Sequence, residues 1–320
     1  MSTEVTTDRA SEVATVTLNP AIDRTVTIPN FAAGKVNRVE EMQQHPGGKG
    51  VNVASILADF GHAVAVTGFL GRENSVSFEE LFARKRIADH FVRIAGQTRV
   101  GIKISDPVQQ ETTDINFPGQ APTPADVDTL FQRLAAMSGA WFVLAGSLPP
   151  GVAPTIYRDL VTTLKAQGRN VALDTSGEAL RYALDAAPQI IKPNVHELEE
   201  IVGMPLTTPA AIVEAVQPFL ARGTRLVAVS MGAEGACFVT TDAVVTARPP
   251  RVEVKSTVGA GDAMVSGIVV GQLRNAPLTA CARLATACSL DAITHIGSGL
   301  SSVGTVEAFM NQVVVEEQDL

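Results

Sequence analysis

The octapeptide STVGAGDA, residues 256–263, joins a glycine-rich turn to a carboxylate at the start of a predicted helix. The small residues Gly259, Ala260 and Gly261 leave successive backbone N–H groups open to a ligand, and the helix dipole adds positive potential there. Such a turn binds anions, yet it ends in Asp262. Two interpretations follow: Asp262 caps the helix, or the amides hold a phosphoryl group while Asp262 accepts the proton of the attacking hydroxyl.

Neither glycine-rich stretch of the chain has the spacing of the common nucleotide-binding loops. Met264 stands where a dinucleotide fingerprint needs its third small residue, and the stretch comes late in the sequence. The tetrapeptide GGKG, residues 47–50, lacks the Ser or Thr and the upstream glycine of a Walker loop. The sequence therefore argues against a dehydrogenase and against a P-loop enzyme.

The elements that must position these loops alternate along the chain. Short β-rich runs alternate with helical patterns, which is typical of a parallel sheet covered by helices on both faces. The fold class is therefore predicted as an α/β/α three-layer sandwich with a mostly parallel central sheet. The predicted central strands are residues 63–70, 140–146, 170–176, 189–194 and 225–232. The predicted helices are residues 124–138, 154–168, 208–223 and 278–293, together with those that begin at GGKG and at GAGD.

Two segments, residues 13–46 and 97–118, break this alternation and have the polar alternation of hairpin strands. They predict a small antiparallel β lid beside the carboxyl ends of the central strands, where a lid closes over substrate. Residues 1–10 are predicted to be disordered. Residues 11–320 are then predicted to form a single domain.

Composition excludes several classes of protein. The chain has 320 residues, 46% of them hydrophobic and 18% charged, which predicts a large buried core. Its formal net charge is −8, and no Lys/Arg run marks a nucleic-acid partner. No apolar stretch has the length of a signal peptide or a membrane span, so we expect a cytoplasmic protein. The three cysteines lack the spacing of a zinc site or a disulfide framework.

Six stretches occur in an order that resembles the PfkB/ribokinase family of sugar kinases, and the resemblance covers nearly the whole chain. Within that family the chain is most similar to the hexose-phosphate branch, and most of all to 1-phosphofructokinases. The resemblance implies a ribokinase-like fold and an ATP-dependent sugar-phosphate kinase. The stretches are TLNPAID (17–23), GGKGVNVA (47–54), GSLPPG (146–151), KPN with HELE (192–199), SMGAEGA (230–236) and STVGAGDAM (256–264).

The resemblance also implies the residues that bind the sugar phosphate. Asp23 would bind sugar hydroxyls through its carboxylate. Lys49, on its glycine loop, suits an anionic substrate. Arginine is suited to bidentate capture of phosphate. The full implied set is Asp23, Gly47, Gly48, Lys49, Asn52, Arg99, Lys103 and Ser147, with Lys35 and Arg38 as further cations of the lid. Taken singly, each also fits a structural interpretation: a turn residue, an ordinary helix start, or a solvated cation.

For the nucleotide, the resemblance implies contacts at the ends of the strands and in the 256–263 turn. Glu197 would organise Mg²⁺ through water, since magnesium usually keeps several waters; alone, it would equally fit an exposed glutamate at a helix start. ATP and Mg²⁺ are the implied cofactors, and a monovalent cation stays open because ITHIGSGL departs from the family's loop. The implied nucleotide set is Lys192, Asn194, Ser230, Gly232, Gly235, Thr257, Gly259 and Gly261.

The implied reaction uses Asp262 as general base and the amides of residues 259–262 as the anion hole. Fructose 1-phosphate, phosphorylated at O6, is the favoured substrate. The alternatives are tagatose 6-phosphate and fructose 6-phosphate, and Lys49 counts against the latter because that pattern usually has another glycine there. A catalytically silent sugar-phosphate-binding regulator is the alternative of another class; an intact Asp262 argues against it. The resemblance further implies a homodimer formed through the lid.

Overall fold

The computed structural model describes residues 11–295, 297 and 299–319, so the predicted disorder of residues 1–10 lies outside the described residues. The strands are β1 Val13–Thr17, β2 Ala21–Thr27, β3 Glu41–Gly47, β4 Val64–Gly71, β5 Ala88–Asp89, β6 Val92–Ile94, β7 Arg99–Asp106, β8 Glu111–Asn116, β9 Trp141–Ala145, β10 Asn170–Asp174, β11 Ile190–Ile191, β12 Leu226–Ser230, β13 Ala236–Val239, β14 Ala243–Arg248 and β15 Val314–Asp319. The helices are α1 Lys49–Asp59, α2 Val76–Lys85, α3 Pro124–Ala136, α4 Ile156–Ala166, α5 Gly177–Ala183, α6 Val195–Val202, α7 Pro209–Ala221, α8 Ala260–Leu273, α9 Leu278–Ile293 and α10 Val303–Met310.

The large sheet has the order β15-β14-β13-β12-β11-β10-β9-β1-β4-β5, and β6 pairs with the last residues of β4, beyond those that pair with β5. All pairings from β12 across to β5 are parallel, whereas β12, β13, β14 and β15 pair antiparallel. The middle strands β1 and β9 are buried along their whole length, VATVT and WFVLA. Continuous burial on both faces is what a parallel sheet between two helix layers requires.

Two hydrophobic clusters lie on opposite faces of this sheet. One joins the sheet to α1, α8 and α9, and the other joins it to α3, α4, α5 and α7. The predicted three-layer sandwich is therefore confirmed. Helix α8 is buried along most of its length, and at Gly267 it approaches α9 so closely that a Cβ would lie 2.6 Å from the Cα of Ala285. The helix that carries Asp262 is thus firmly held by its neighbours.

A separate four-stranded sheet of order β3-β2-β7-β8 forms the predicted lid. The outer pairs β2–β3 and β7–β8 are antiparallel, and the inner pair β2–β7 is parallel. Residues 13–17, the first part of the span that was predicted to contain lid strands, instead form β1 of the central sheet. The physical reason is burial, because all five of these residues are buried, whereas β8 is exposed throughout.

Helices long and apolar enough to cross a bilayer are absent from the part of the chain that the structure describes.

Candidate active site

Asp262 lies at the start of α8 but does not cap it. Gly259 is the residue before the helix, with φ +80, and no side chain of the described residues caps this end. Instead, Asp262 is buried and its Oδ2 accepts a hydrogen bond of 2.7 Å from Nδ2 of Asn52 on α1. The first intrahelical bond runs from the N–H of Ala263 to the Gly259 carbonyl at 2.8 Å. The N–H groups of residues 260–262 precede that bond and are free to bind a ligand.

The environment of Asp262 makes it a better base than an ordinary aspartate. Burial raises the pKa of Asp262 to about 6, and the negative charge of Asp174 acts in the same direction. The positive charge of Lys49 and the hydrogen bond from Asn52 oppose this rise without cancelling it. The carboxylate is therefore mostly ionised at neutral pH while holding a proton affinity closer to the operating pH, as general base catalysis requires.

Asp174, at the end of β10, was missed by the sequence analysis and lies at the centre of the site's charges. It is fully buried, and its Oδ1 lies 3.0 Å from Nζ of Lys49 and 3.4 Å from Nζ of Lys192. The available signal was its place in LDTSG at the carboxyl end of a predicted parallel strand, where α/β proteins collect functional residues. The structure thus joins the GGKG and KPN stretches through one carboxylate.

These charges keep one another ionised. Burial alone would raise the pKa of Asp174, but Lys192 and Lys49 outweigh it and lower that pKa. Burial alone would likewise lower the pKa of Lys49, and the carboxylates of Asp174 and Asp262 outweigh it and raise that pKa. Lys49 is therefore a permanent cation that interacts with the charges of both Asp174 and Asp262.

The lid contributes a third carboxylate, Asp23 on β2. Nζ of Lys103 on β7 lies 3.4 Å from its Oδ2. Two glycines make room for this side chain: a Cβ at Gly47 would collide with the Asp23 carboxylate, and one at Gly101 would lie 2.8 Å from its Oδ1. Gly101 was not predicted, and no local pattern marks it. The glycines at 47 and 101 thus serve the position of Asp23.

Arg99 and Ser147 are joined through Asn19, which the sequence analysis did not single out. The Arg99 guanidinium donates to the carbonyls of Asn19, at 3.3 Å, and Phe117, at 3.2 Å. Nδ2 of Asn19 in turn donates to Oγ of Ser147 at 3.3 Å. Burial lowers the pKa of Arg99, although Asp23 opposes this. The X-Pro context of Asn19 predicts a turn, but not this bridge.

A cleft of about 830 Å³, measured to its open mouth, runs from the lid to the segment after α9. Asp23 and Lys103 line it at the lid end, and Asn52 and Gly259 line its middle. His295, Gly297 and Gly299 line the other end. Lys35 and Arg38, the further lid cations of the prediction, are exposed in the β2–β3 connection and do not line this cleft.

The residues predicted to bind nucleotide lie at the ends of β11 and β12 and in the 256–263 turn, and Lys192 joins the two regions. A Cβ at Gly261 would lie 3.3 Å from Nζ of Lys192, so that ammonium lies beside the start of α8. Asn194 and Ser230 are neighbours in a parallel bridge. Gly232 has φ +59, and Thr257 is exposed in the turn before α8.

Two of the predicted residues, Gly235 and Glu197, also have structural roles. Gly235 has φ +91, and a Cβ there would collide with the Ala247 carbonyl, so close backbone packing requires a glycine. Glu197 forms a capping box with Asn194: its N–H donates to Oδ1 of Asn194 at 2.8 Å, and its Oε2 accepts from the Asn194 N–H at 2.8 Å. Glu197 nevertheless contributes to the raised pKa of Lys49, so its charge faces the site.

Comparison with known proteins identifies the class. The profile of the pfkB family carbohydrate kinases matches residues 16–303, and the chain belongs to this family. It is 47% identical to a 1-phosphofructokinase of Rhodobacter capsulatus over 95% of this chain and 97% of that protein. It is 39% identical to a 1-phosphofructokinase of Escherichia coli K12, covering 94% of this chain and 97% of the relative.

Solved structures give the same result for the fold. Phosphofructokinase-2 from Escherichia coli in complex with fructose-6-phosphate superimposes with a TM-score of 0.87 at 28% identity, over 94% of this chain and 98% of that chain. A possible 1-phosphofructokinase from Thermotoga maritima has a TM-score of 0.87 at 28% identity, over 96% and 99%. The predicted ribokinase-like fold, the family and the class of ATP-dependent sugar-phosphate kinase are confirmed.

Proposed function

We propose that this kinase transfers the γ-phosphoryl group of ATP to O6 of fructose 1-phosphate. One observation carries the chemistry: a buried carboxylate with a pKa of about 6, Asp262, shares one helix start with the open N–H groups of residues 260–262. The choice of sugar rests on relatives up to 47% identical that are named 1-phosphofructokinase. An anionic acceptor also fits the cations of the site, Lys49 beside Asp262 and Lys103 in the cleft wall.

In the proposed reaction the O6 hydroxyl of the sugar attacks the γ-phosphorus. A new O–P bond forms, the bond to the departing ADP oxygen breaks, and the hydroxyl proton moves to the Asp262 carboxylate. The N–H groups of residues 259–262 stabilise the charge that develops on the transferred group. Lys192 lies against Gly261 and adds positive charge on the same side.

The residues present fit a magnesium ion. Oδ2 of the fully buried Asp174 has no hydrogen-bond partner among the described residues. Among the same residues, the Glu197 carboxylate uses only its Oε2 in the capping box. Hard oxygen donors of this kind are those that Mg²⁺ prefers, with waters completing its shell. Glu197 would hold the ion through water, and the bound ion would neutralise charge on the ATP phosphates.

Arg99, Ser147, Lys49 and Lys103 are the proposed contacts of the substrate phosphate. Phosphofructokinase-2 has been solved with fructose-6-phosphate, so fructose 6-phosphate is the nearest alternative, followed by tagatose 6-phosphate. Lys49 favours the 1-phosphate. Its ammonium bonds to Asp174 at 3.0 Å, which fixes the position of this partly exposed side chain.

A coupled assay of ADP release with Mg·ATP tests the proposal. It compares kcat/KM for fructose 1-phosphate, fructose 6-phosphate, tagatose 6-phosphate and unphosphorylated fructose. We expect fructose 1-phosphate to be preferred by about two orders of magnitude or more. Unphosphorylated fructose would leave cationic donors of the site unpaired. A 6-phosphate carries its phosphate on O6, where the proposed reaction needs a free hydroxyl. Preference for a 6-phosphate would contradict the choice of sugar and keep the kinase. No turnover of any would favour the silent sugar-phosphate-binding regulator.

We further propose a homodimer that forms through the lid. All of β8 is exposed, and the lid exposes large apolar side chains: Met42 is 59% exposed, Ile115 45% and Phe117 49%. Exposed apolar patches of this kind mark interaction sites. The inhibited form of phosphofructokinase-2 from Escherichia coli is itself a tetramer.

Light scattering coupled to size exclusion tests the dimer. The double change Ile115→Lys and Phe117→Lys should convert the dimer to a monomer, because two lysines would be desolvated in the interface. Val76→Lys is the matched control, since Val76 is 64% exposed but lies on α2, outside the lid strands. A monomeric parent protein, or a double variant that stays dimeric, would overturn the proposal.

Two further expectations rest on the proposed function. A cytoplasmic location follows from the need for ATP and a sugar phosphate.

A monovalent cation requirement is supported by a neighbour, phosphofructokinase-2 from Escherichia coli, solved in complex with potassium. In the same assay, equal rates in potassium chloride and tetramethylammonium chloride would refute that requirement.

A further inference from the structure

Away from the lid residues, Gly299 lines the cleft and begins a short segment, residues 299–301, that two carboxylates from different helices hold. The N–H of Leu300 donates to Oδ2 of Asp59 on α1 at 2.9 Å, and the N–H of Ser301 donates to Oδ2 of the buried Asp291 on α9 at 2.9 Å. Gly299 lines the cleft directly. Successive backbone donors are thus fixed immediately beside the ligand space. We call residues 299–301 the anchored turn.

The Asp59 anchor is itself held by a cation. Nζ of Lys85, the last residue of α2, lies 2.6 Å and 2.7 Å from the two carboxylate oxygens of Asp59. The side chains are 16% and 26% exposed, so water screens this ion pair less than a surface pair. Lys85 also donates to the carbonyl of Ser55 at 3.3 Å, which ties α2 to α1. Charge-assisted bonds in this setting are the stronger ones.

Gly299 of the anchored turn packs directly against this ion pair, and the space between them is too small for a side chain. A Cβ at Gly299 would lie 2.8 Å from both Oδ2 of Asp59 and Nζ of Lys85, and the φ of Gly299 is +109, where other residues are strained. On the other side, the Gly299 carbonyl lies 3.2 Å from Nε2 of His295, another residue that lines the cleft. Both the conformation and the position of Gly299 are therefore set by its surroundings.

Helix α1 connects the anchored turn to the reacting centre. It begins at Lys49, carries Asn52, which bonds to Asp262, and ends at Asp59. The acceptor sugar belongs at the lid end with Asp23, and phosphoryl transfer takes place at Gly259 and Asp262. The donor nucleotide must then extend away from the lid, toward the anchored turn, because the attacking and leaving oxygens lie roughly in line.

We propose that Asp59 and Lys85 are positioning residues for the nucleotide: their ion pair holds the anchored turn as a preformed wall against which ATP binds. This inference rests on the proposed function, because it assigns the donor end of the cleft. Neither residue needs to touch the nucleotide. Removing the ion pair should make the wall mobile, so that ATP binding must order it again, while the sugar end keeps its contacts.

The test compares Asp59→Asn with a matched control, Asp89→Asn. Asp89 also combines a cation and a backbone donor, since its Oδ2 lies 2.5 Å from Nη2 of Arg93 and its Oδ1 accepts from the Phe91 N–H at 2.9 Å. It does not line the cleft. For Asp59→Asn we expect the KM for Mg·ATP to rise about 10- to 150-fold, the range for one lost hydrogen bond to a charged group. The KM for fructose 1-phosphate should stay within about twofold.

Calorimetric titration with Mg²⁺ and a nonhydrolysable ATP analogue gives a readout without turnover. Its Kd should rise by the same factor in Asp59→Asn and stay unchanged in Asp89→Asn. Gly299→Ala is a second route to the same loss, because its Cβ would displace the ion pair. Gly168→Ala is its control: Gly168 has φ +73 and nothing within 4 Å of an added Cβ. If Asp59→Asn fails to fold, Lys85→Gln and Gly299→Ala decide the question.

An equal rise of both KM values in Asp59→Asn, equal effects of Asp59→Asn and Asp89→Asn, or unchanged analogue affinity would each overturn the inference. Failure of the proposed function looks different, since the parent protein would then release no ADP from any sugar. Even in that case the titration still decides whether the ion pair supports the nucleotide end.

Discussion

Asp262→Asn is expected to lower kcat by about 10²- to 10⁴-fold, the usual contribution of a positioned general base. Asparagine has nearly the shape of aspartate and an oxygen that still accepts the hydrogen bond that Asn52 donates to Asp262 at 2.7 Å. It cannot take up the proton of the O6 hydroxyl. The KM values for both substrates should therefore change little. Steady-state kinetics with both substrates varied measures this split.

The same substitution should leave the fold intact or stabilise it. Burial raises the pKa of Asp262 from 3.8 to about 6, so the folded state binds this proton more tightly than the unfolded chain does. Its stabilising contribution is complete below pH 3.8 and is lost as the pH rises through about 6. Above that pH the parent protein holds a buried charge that the Asp262→Asn variant lacks. The variant's Tm near neutral pH should therefore equal or exceed that of the parent.

The pH profile provides the independent check. Because the ionised carboxylate is the base, kcat/KM of the parent should fall as the pH drops through about 6, the pKa of Asp262 in the folded protein. The residual activity of Asp262→Asn should not show that fall. Near-normal kcat in the variant, or the same acidic limb in both proteins, would remove Asp262 from the role of base.

The geometry of the GAGD turn could be predicted because it is local. Three successive N–H groups at a helix start and a carboxylate in the same turn occur within a few residues of sequence, and the structure places them as the pattern indicates. The capping interpretation could not be dismissed locally. It fails because Asn52, 210 positions away, bonds to Asp262 instead.

Other parts of the site depend on contacts that no local pattern encodes. Gly101 is needed because the Asp23 side chain on the paired strand β2 occupies the space that a Cβ would take. Asn19 links Arg99 and Ser147 through hydrogen bonds to residues that lie far from it in the sequence. Glu197 shows the opposite difficulty. It forms a capping box with Asn194, and it is also the residue predicted to organise magnesium, so the same sequence fits both roles.

The fold is predictable where burial and periodicity agree. The apolar runs of β9 and β10 and the long pattern of α9 predict those elements, and the structure confirms them. The stretch TVTLNPAIDRTVTI alternates as a whole, and that alternation groups β1 with the lid span. The burial of β1 against β4 and β9 is decided by pairing partners far along the chain, which alternation alone does not identify.

Asp174 should be the residue whose loss most affects both stability and activity. Asp174→Ala removes the only carboxylate that bonds, within the described residues, to both Lys49 and Lys192, the latter just 5% exposed. Removing one partner of a buried pair leaves an uncompensated charge, and we expect a loss of about 3–5 kcal/mol in the free energy of unfolding. Urea denaturation measures it.

The pH dependence of that stability has a definite sign. Because Lys192 and Lys49 lower the pKa of Asp174 despite its burial, its contribution is present above the ordinary pKa of aspartate and is lost as the pH falls through the lowered value. The parent and Asp174→Ala should therefore differ most near neutral pH and converge in acid. Asp185→Asn, which breaks the exposed ion pair with Arg222, is the control and should cost about 0–1 kcal/mol.

A double variant separates the two roles of Asp174. Asp174→Asn combined with Lys192→Met removes the more deeply buried of the two ammonium groups that Asp174 pairs with, so it should regain much of the stability that Asp174→Asn alone loses. It should not regain kcat, because Lys192 faces Gly261 in the anion hole and Lys49 would no longer be held beside Asp262. If kcat returned together with stability, the network would serve only the fold. If neither returned, the charge of Lys192 would not be the cause of the instability, and the lost packing around β10 would explain it instead.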